Sequence, residues 1–192
     1  MYVIKGEKVW MSKTLIILSA PSGVGKTTVT ERFLQINPNW KQVITCTTRP
    51  PRGEEKDGID YRFLTESSFE ILVKSDKFLE YAVVHGQFYG TLMSDVESVW
   101  GNKNQAILVI DTQGKETVKA KIPDATTIFL LPPSNDEMER RLRGRGTEVE
   151  NVIQIRLHRA LAEIKDAYTY DHVLVNDDIE ETVRGLQAII KD

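Results

Sequence analysis

The sequence predicts an α/β fold, a parallel sheet flanked by helices, and three observations point to it. Four short runs are β-rich and nearly continuously apolar: 14–19 (TLIILS), 106–111 (AILVID), 126–131 (TTIFLL) and 172–176 (HVLVN). Such runs are expected of strands buried on both faces. Helical patterns lie between and after them, at 26–35, 113–121, 135–143, 151–167 and 179–190, so strand and helix alternate as parallel strands joined by crossovers require. The length of 192 residues suits one domain with a substantial core.

Taken in chain order, residues 1–10 are set apart from the fold, as a natural extension, the product of an alternative start or residues foreign to the natural chain, because Met11-Ser-Lys reads as a second start. The domain is then 11–192. The first strand runs into a glycine-rich turn and a helix that Asn37-Pro38 closes, since a residue before proline is driven out of the helical region. Residues 45–91 interrupt the alternation. They hold the loop Arg49-Pro-Pro-Arg-Gly53, a short run at 61–63, a helix near 67–74, a strand at 78–84 and a hairpin turn at His85-Gly86-Gln87. This reads as a small, mostly β subdomain, about 45–94, over the ligand edge of the sheet. Ser134-Asn-Asp-Glu137 has the spacing of a capping box, and Asp178 can cap the last helix. The arginine-rich stretch 140–147 is a second candidate mobile segment.

Composition narrows the function. The net charge of -3 argues against general nucleic-acid binding, which needs a broad basic surface. No apolar run approaches the ~20 residues of a membrane helix, and the N-terminus lacks the apolar stretch and cleavage site of a signal peptide. The single cysteine, Cys46, has no intramolecular partner and is expected to be a small buried hydrophobe; this suits a reducing cytoplasm. An anionic ligand must therefore be met locally, where Lys and Arg cluster.

Directly after the first strand stands Ala20-Pro-Ser-Gly-Val-Gly-Lys-Thr27, which matches G-x-x-x-x-G-K-[ST] except for alanine in the first glycine position. In a strand-loop-helix setting this is a P-loop of the NTPase type. Backbone N–H groups from Ser22, Gly23, Val24, Gly25, Lys26, Thr27 and Thr28 would surround the phosphates of ATP, with Lys26 at the β/γ oxygens and Thr27 at Mg²⁺. Asp111, at the end of a buried strand, is a Walker B-like acid that could hold the metal through water; its plainer role is to cap the next helix.

The combination of this loop with Thr47-Thr-Arg-Pro-Pro-Arg-Gly53, Gly58-Ile-Asp-Tyr61, Phe78-Leu-Glu-Tyr81, Tyr89-Gly-Thr91, Ile110-Asp-Thr-Gln-Gly114, Gly144-Arg-Gly-Thr147 and Asn176-Asp-Asp178 resembles the guanylate kinase family. The shared order runs from about Leu15 to the end. The resemblance implies that Arg49, Arg52, Tyr61 and Tyr89 bind the GMP phosphate and that Thr45, Glu80, Thr91 and Asp111 surround guanine. It implies a lid, about 135–168, whose Arg141, Arg145 and Arg156 reach ATP and the transferred phosphoryl, while Asn176 lies near adenine. Arg140 and Arg143 read instead as a solvated helix face. The chain departs from the family pattern at Val109, where an acidic residue often stands.

Residue chemistry agrees with these roles. Arginines bind phosphate by paired charge-assisted bonds, and the Glu80 carboxylate is an acceptor suited to guanine N1–H and N2–H₂. The expected reaction is Mg·ATP + GMP to ADP + GDP, with dGMP a second acceptor, by in-line transfer. A phosphate monoester, with its second pKa near ~6, attacks without a general base, so Lys26, the lid arginines and the Arg49/Arg52 site act by alignment and charge. Closure of the small subdomain and the lid would exclude water. Two other classes compete: a noncatalytic guanylate kinase-like interaction module, which the intact Gly25-Lys26-Thr27 disfavours, and a P-loop kinase for another phosphorylated acceptor, which Glu80 with Thr91 disfavours.

Overall fold

The computed structural model describes residues 2–4, 7–9, 14–84, 86–144 and 150–190. Strands β1 (Tyr2–Ile4) and β2 (Glu7–Val9) pair antiparallel as a two-stranded sheet. The main sheet has five strands, β3 (Leu15–Ser19), β4 (Trp40–Gln42), and, later in the chain, β9 (Gln105–Val109), β10 (Thr126–Leu131) and β11 (His172–Val175), all parallel in the order β11-β10-β3-β9-β4.

The two-residue side-chain period of β3 shows why its sequence is continuously apolar. Ile16 and Leu18 point to one face, where they pack with Val29 and Phe33 of α1 (Lys26–Ile36), Met138 and Leu142 of α5 (Asn135–Arg143), Ile153 and Leu157 of α6 (Glu150–Ile164), and Val183 and Leu186 of α7 (Ile179–Ile189). Leu15 and Ile17 point to the other, against Val96 of α3 (Met93–Gly101) and Val118 of α4 (Thr112–Lys121). Helices on both faces explain the absence of a polar side to the central strands.

Between β4 and α3 the chain builds a second sheet of four strands, in the order β6-β5-β8-β7, from β5 (Cys46–Thr47), β6 (Arg62–Phe63), β7 (Phe78–Val84) and β8 (Gln87–Leu92). Helix α2 (Glu66–Lys74) covers it, its start capped by Thr65, whose Oγ1 accepts from the Ser68 amide at 3.1 Å. This sheet has its own core of Cys46, Phe69, Phe78 and Leu92, with the Phe69 and Phe78 rings stacked at 4.3 Å. Burial pushes the Cys46 thiol up to about 12, which makes it an inert hydrophobe. Val84 pairs with Gln87 across the hairpin; His85 lies outside the described residues.

Several expectations are corrected. β11 is not buried on both faces, for it is the outermost strand of the sheet: Val173 and Val175 are exposed, and only Leu174 packs inward. The helix expected over 151–167 ends at Ile164, and the chain tightens into a 3-10 turn at Ala167–Thr169. The capping box forms by half: Ser134 Oγ accepts from the Glu137 amide at 3.1 Å, while the Glu137 carboxylate turns to Arg140 and Arg141. Strand β4 and helix α3 were not foreseen. No described helix is long and apolar enough to cross a membrane.

Candidate functional site

The topology selects one edge. β3 stands between β9 and β10, so the connections from β3 and β9 diverge at a switch point, where α/β sheets bind ligands beyond the carboxyl ends of their strands. The Ala20–Thr27 loop leaves β3 there, Asp111 follows β9, Ser134 and α5 follow β10, and Asn176 follows β11.

Gly23 and Gly25 both have left-handed backbone, with φ of 87° and 98°, which favours glycine. A side chain at Gly25 would also collide with Asn176, whose Nδ2 would lie 2.8 Å from the added Cβ. Ala20 is not in the left-handed region, so alanine there is no obstacle to the loop. Gly25 is the N-cap of α1 but offers no side-chain acceptor, and the first turn holds no acidic residue. The first amides of that helix are left to a ligand, and an anion is favoured by their dipoles. Lys26 Nζ donates to the Ala20 carbonyl at 2.5 Å. Burial lowers its pKa, opposed by the charges of Glu163 and Asp111. Thr27 and Thr28 are exposed at the helix start.

Side chains from distant elements converge on this loop. Asn176 is 3% exposed and its Nδ2 donates to the Val24 carbonyl at 2.6 Å. Arg141, oriented by Glu137 at 2.7 Å, donates to the Asn176 carbonyl at 3.0 Å and to the Val24 carbonyl at 3.4 Å. Arg156 donates to the Ser22 hydroxyl. Arg140 and Arg143 instead pair with Glu137, Glu139 and Glu150 on the outside of the helices. Arg145 lies outside the described residues, as do Gly146 and Thr147.

The small sheet carries a second cationic centre. Arg49 is only 7% exposed. Its Nε donates to the Tyr89 hydroxyl at 3.1 Å, its two terminal nitrogens grip the Glu55 carboxylate at 2.8 and 2.9 Å, and one also donates to the Pro50 carbonyl at 2.7 Å. Four of its five N–H donors are thus engaged. Hydrogen bonding to Glu55 raises the Arg49 pKa, and the same contact lowers that of Glu55. The guanidinium carbon lies 5.3 Å from the Tyr61 ring centroid, and the Tyr61 and Tyr89 rings meet edge-on at 6.1 Å. Burial raises the Tyr61 pKa. Arg52 is exposed, and its side chain makes no hydrogen bond or ion pair among the described residues.

Thr45, directly before β5, and Glu80 and Thr91 on the small sheet are each buried. Glu80 and Thr91 are cross-strand partners in β7 and β8, and Thr91 Oγ1 donates to Glu80 Oε1 at 2.7 Å. Burial is the main cause that pushes the Glu80 carboxyl up to about 7; the Thr91 hydrogen bond opposes it and the Asp111 charge adds to it. Asp111 caps α4, its Oδ1 accepting from the amides of Gln113 and Gly114 at 3.1 Å each. Its charge acts on both Lys26 and Glu80. Val109 packs against the main core.

Sequence reasoning missed Glu55, Glu163 and Lys121. The signal for Glu55 was a carboxylate three residues after Arg52 in the proline-rich loop. Lys121 Nζ donates to the Phe78 carbonyl at 3.0 Å and so ties α4 to β7; nothing in the sequence announces that contact.

Comparison with known proteins fits this geometry. The family model described as guanylate kinase matches residues 12–192. A guanylate kinase of Myxococcus xanthus (strain DK1622) is 44% identical over 177 residues, 92% of this chain and 85% of the relative. One from Anaeromyxobacter dehalogenans (strain 2CP-C) is 45% identical over 179 residues, 92% and 79% of the two chains. The crystal structure of guanylate kinase from Anaplasma phagocytophilum aligns with a TM-score of 0.77 at 32% identity, over 93% of this chain and 84% of that one.

Proposed function

The chain belongs to the guanylate kinase family, and on that premise we propose a nucleoside monophosphate kinase that moves the terminal phosphoryl group of ATP onto GMP, and onto dGMP as a second acceptor. The observation that carries the acceptor is the buried Glu80–Thr91 pair, whose charge neighbour Asp111 is also that of Lys26.

In this reading the loop amides and Lys26 hold the β- and γ-phosphates, and Lys26 exchanges the Ala20 carbonyl for phosphate oxygen. Arg141 and Arg156, already at the loop, stabilise charge on the transferred group, joined by Arg145. Asn176 sits beside adenine. Arg52 brings an unpaired guanidinium to the acceptor phosphate, Arg49 adds its remaining donor, and the Tyr61 and Tyr89 hydroxyls complete the shell. Glu80 accepts from guanine N1–H and N2–H₂ while Thr91 fixes its other oxygen; Thr45 and Asp111 complete the guanine site. The acceptor oxygen attacks directly, so no side-chain base is needed.

The donor set fits Mg²⁺. Among the described residues no cluster of three or more acidic or imidazole ligands occurs, and Mg²⁺ typically takes one or two protein oxygens plus substrate phosphates and water. The exposed Thr27 hydroxyl and the Asp111 carboxylate are the oxygens that would hold it. When bound, the metal would neutralise phosphate charge and help align the β- and γ-oxygens. The alignment of acceptor and donor is then the work of two bodies, the small sheet and the α5/α6 lid, closing over the loop to exclude water.

The test is ADP formation with ATP and Mg²⁺ against GMP, dGMP, AMP, CMP and UMP in parallel. Turnover selective for GMP and dGMP is expected; equal turnover with AMP, or none with any acceptor, would overturn the assignment.

A further inference from the structure

Helix α4 carries a glycine in its first turn that the backbone does not require. Gly114 has no positive φ, and its amide donates to Asp111 as any residue's would. Glycine is a poor helix former, so a reason must lie in space. A Cβ built on Gly114 would stand 2.6 Å from Glu80 Oε2 and 3.2 Å from Glu80 Cδ. The third neighbour, Ile110 Cδ1 at 3.1 Å, is the free end of a flexible side chain.

Glu80 has little room to yield. It is 4% exposed, Thr91 holds its Oε1 at 2.7 Å, and Leu79 beside it is buried in the main core. The register irregularity between Phe78 and Glu80 sits at this point of β7. The strand is also held from the same helix by the Lys121 bond to the Phe78 carbonyl. Helix and strand therefore approach at a fixed separation, and the missing side chain at Gly114 is what lets the carboxylate occupy the gap.

We infer that Gly114 is a positioning residue for acceptor choice: the bare backbone of α4 seats the Glu80 carboxylate where it meets the guanine edge. This rests on the reading of Glu80 as the guanine acceptor. Any side chain at 114 pushes the carboxylate off its Thr91 hydrogen bond and out of register with the base, while the phosphate-binding arginines stay in place.

The experiment is a double-mutant cycle: kcat/KM for GMP and for AMP in the parent, Gly114→Ala, Glu80→Ala and the double variant. Gly114→Ala is expected to lower GMP efficiency by at least about tenfold and narrow the GMP/AMP ratio, with KM for ATP unchanged; a merely structural role would depress both acceptors together. Because Gly114 acts through the carboxylate, the double variant should match Glu80→Ala within about twofold. An unchanged ratio in Gly114→Ala with a narrowed one in Glu80→Ala, or additive losses in the double variant, overturns the inference and leaves the guanine reading standing. An unchanged ratio in Glu80→Ala overturns both. Should Gly114→Ala not fold, folding of the double variant supports the contact, and its failure to fold overturns it.

Discussion

Acceptor choice should depend on pH through Glu80. Its carboxyl, ordinarily at 4.5, is raised to about 7 in the folded chain, by burial first and by Asp111, against the Thr91 hydrogen bond and the Lys121 charge. Two and a half units at about 1.4 kcal/mol each come to roughly 3 to 4 kcal/mol. The sign follows from linkage. The neutral carboxyl is favoured by the fold, so stability is fully present below 4.5 and is lost as pH rises through 7, where the buried group ionises. Guanine N1–H and N2–H₂ need the ionised form, so binding gains where the empty fold loses. At pH 8 about nine-tenths of the free protein is ionised and at pH 6 about one-tenth, a loss of roughly tenfold in GMP efficiency from this group. The acceptor phosphate also titrates near ~6, but AMP carries the same phosphate and serves as the control. Steady-state kcat/KM for both acceptors from pH 5.5 to 8.5 measures the ratio. It should rise with pH, with an apparent pKa near 7, and should flatten in Glu80→Gln. A GMP/AMP ratio that is flat across this range in the parent protein refutes the reasoning.

Lys26→Met should remove most turnover, chiefly in kcat, because no other loop residue can place a cation at the β/γ oxygens; near-parental kcat in the folded variant would unseat the P-loop assignment. Arg52→Ala should raise the GMP Kd at least tenfold with ATP binding unchanged, since a charge-assisted contact contributes about 1.5 to 3 kcal/mol, and calorimetric titration with each nucleotide distinguishes it from a lid residue. Glu55→Ala leaves the nearly buried Arg49 guanidinium without its carboxylate, at a cost of about 1 to 3 kcal/mol. GMP should then raise the melting temperature more in this variant than in the parent, and an equal shift in both would show that Arg49 does not face the acceptor phosphate.

The parts legible in sequence are those whose signal is local. β3, β9 and β10 lie between two helical layers, so apart from polar residues at their ends (Ser19, Gln105, Thr126 and Thr127) they are apolar without alternation, and the run itself is the message. The P-loop is contiguous, and its backbone needs glycine at two points where φ is positive. β4 escaped because Lys41 and Gln42 are exposed in a strand only three residues long. α3 escaped because Val96 is its only fully buried side chain. In the site, the cations and Glu80 were readable as residue types, but what orients them was not. The Arg49–Glu55 grip, the Lys121–Phe78 tie and the Gly114–Glu80 contact depend on how loops and elements meet in space, and no period or spacing encodes that meeting.

The second sheet is inserted between β4, an edge strand of the parallel sheet, and α3, which leads into β9, the neighbour of β4. It has a core of its own, Cys46, Phe69, Phe78 and Leu92. The donor loop, by contrast, is anchored in the centre of the other sheet. On the proposed reading, acceptor recognition and donor handling are written largely in separate stretches of sequence, one nested inside the other, with Asp111 the acceptor residue outside the nested stretch. Mutation can search new acceptors within the nested stretch while the ATP machinery goes on working. What constrains that search is the shared boundary along α4, where each half must still fit the other.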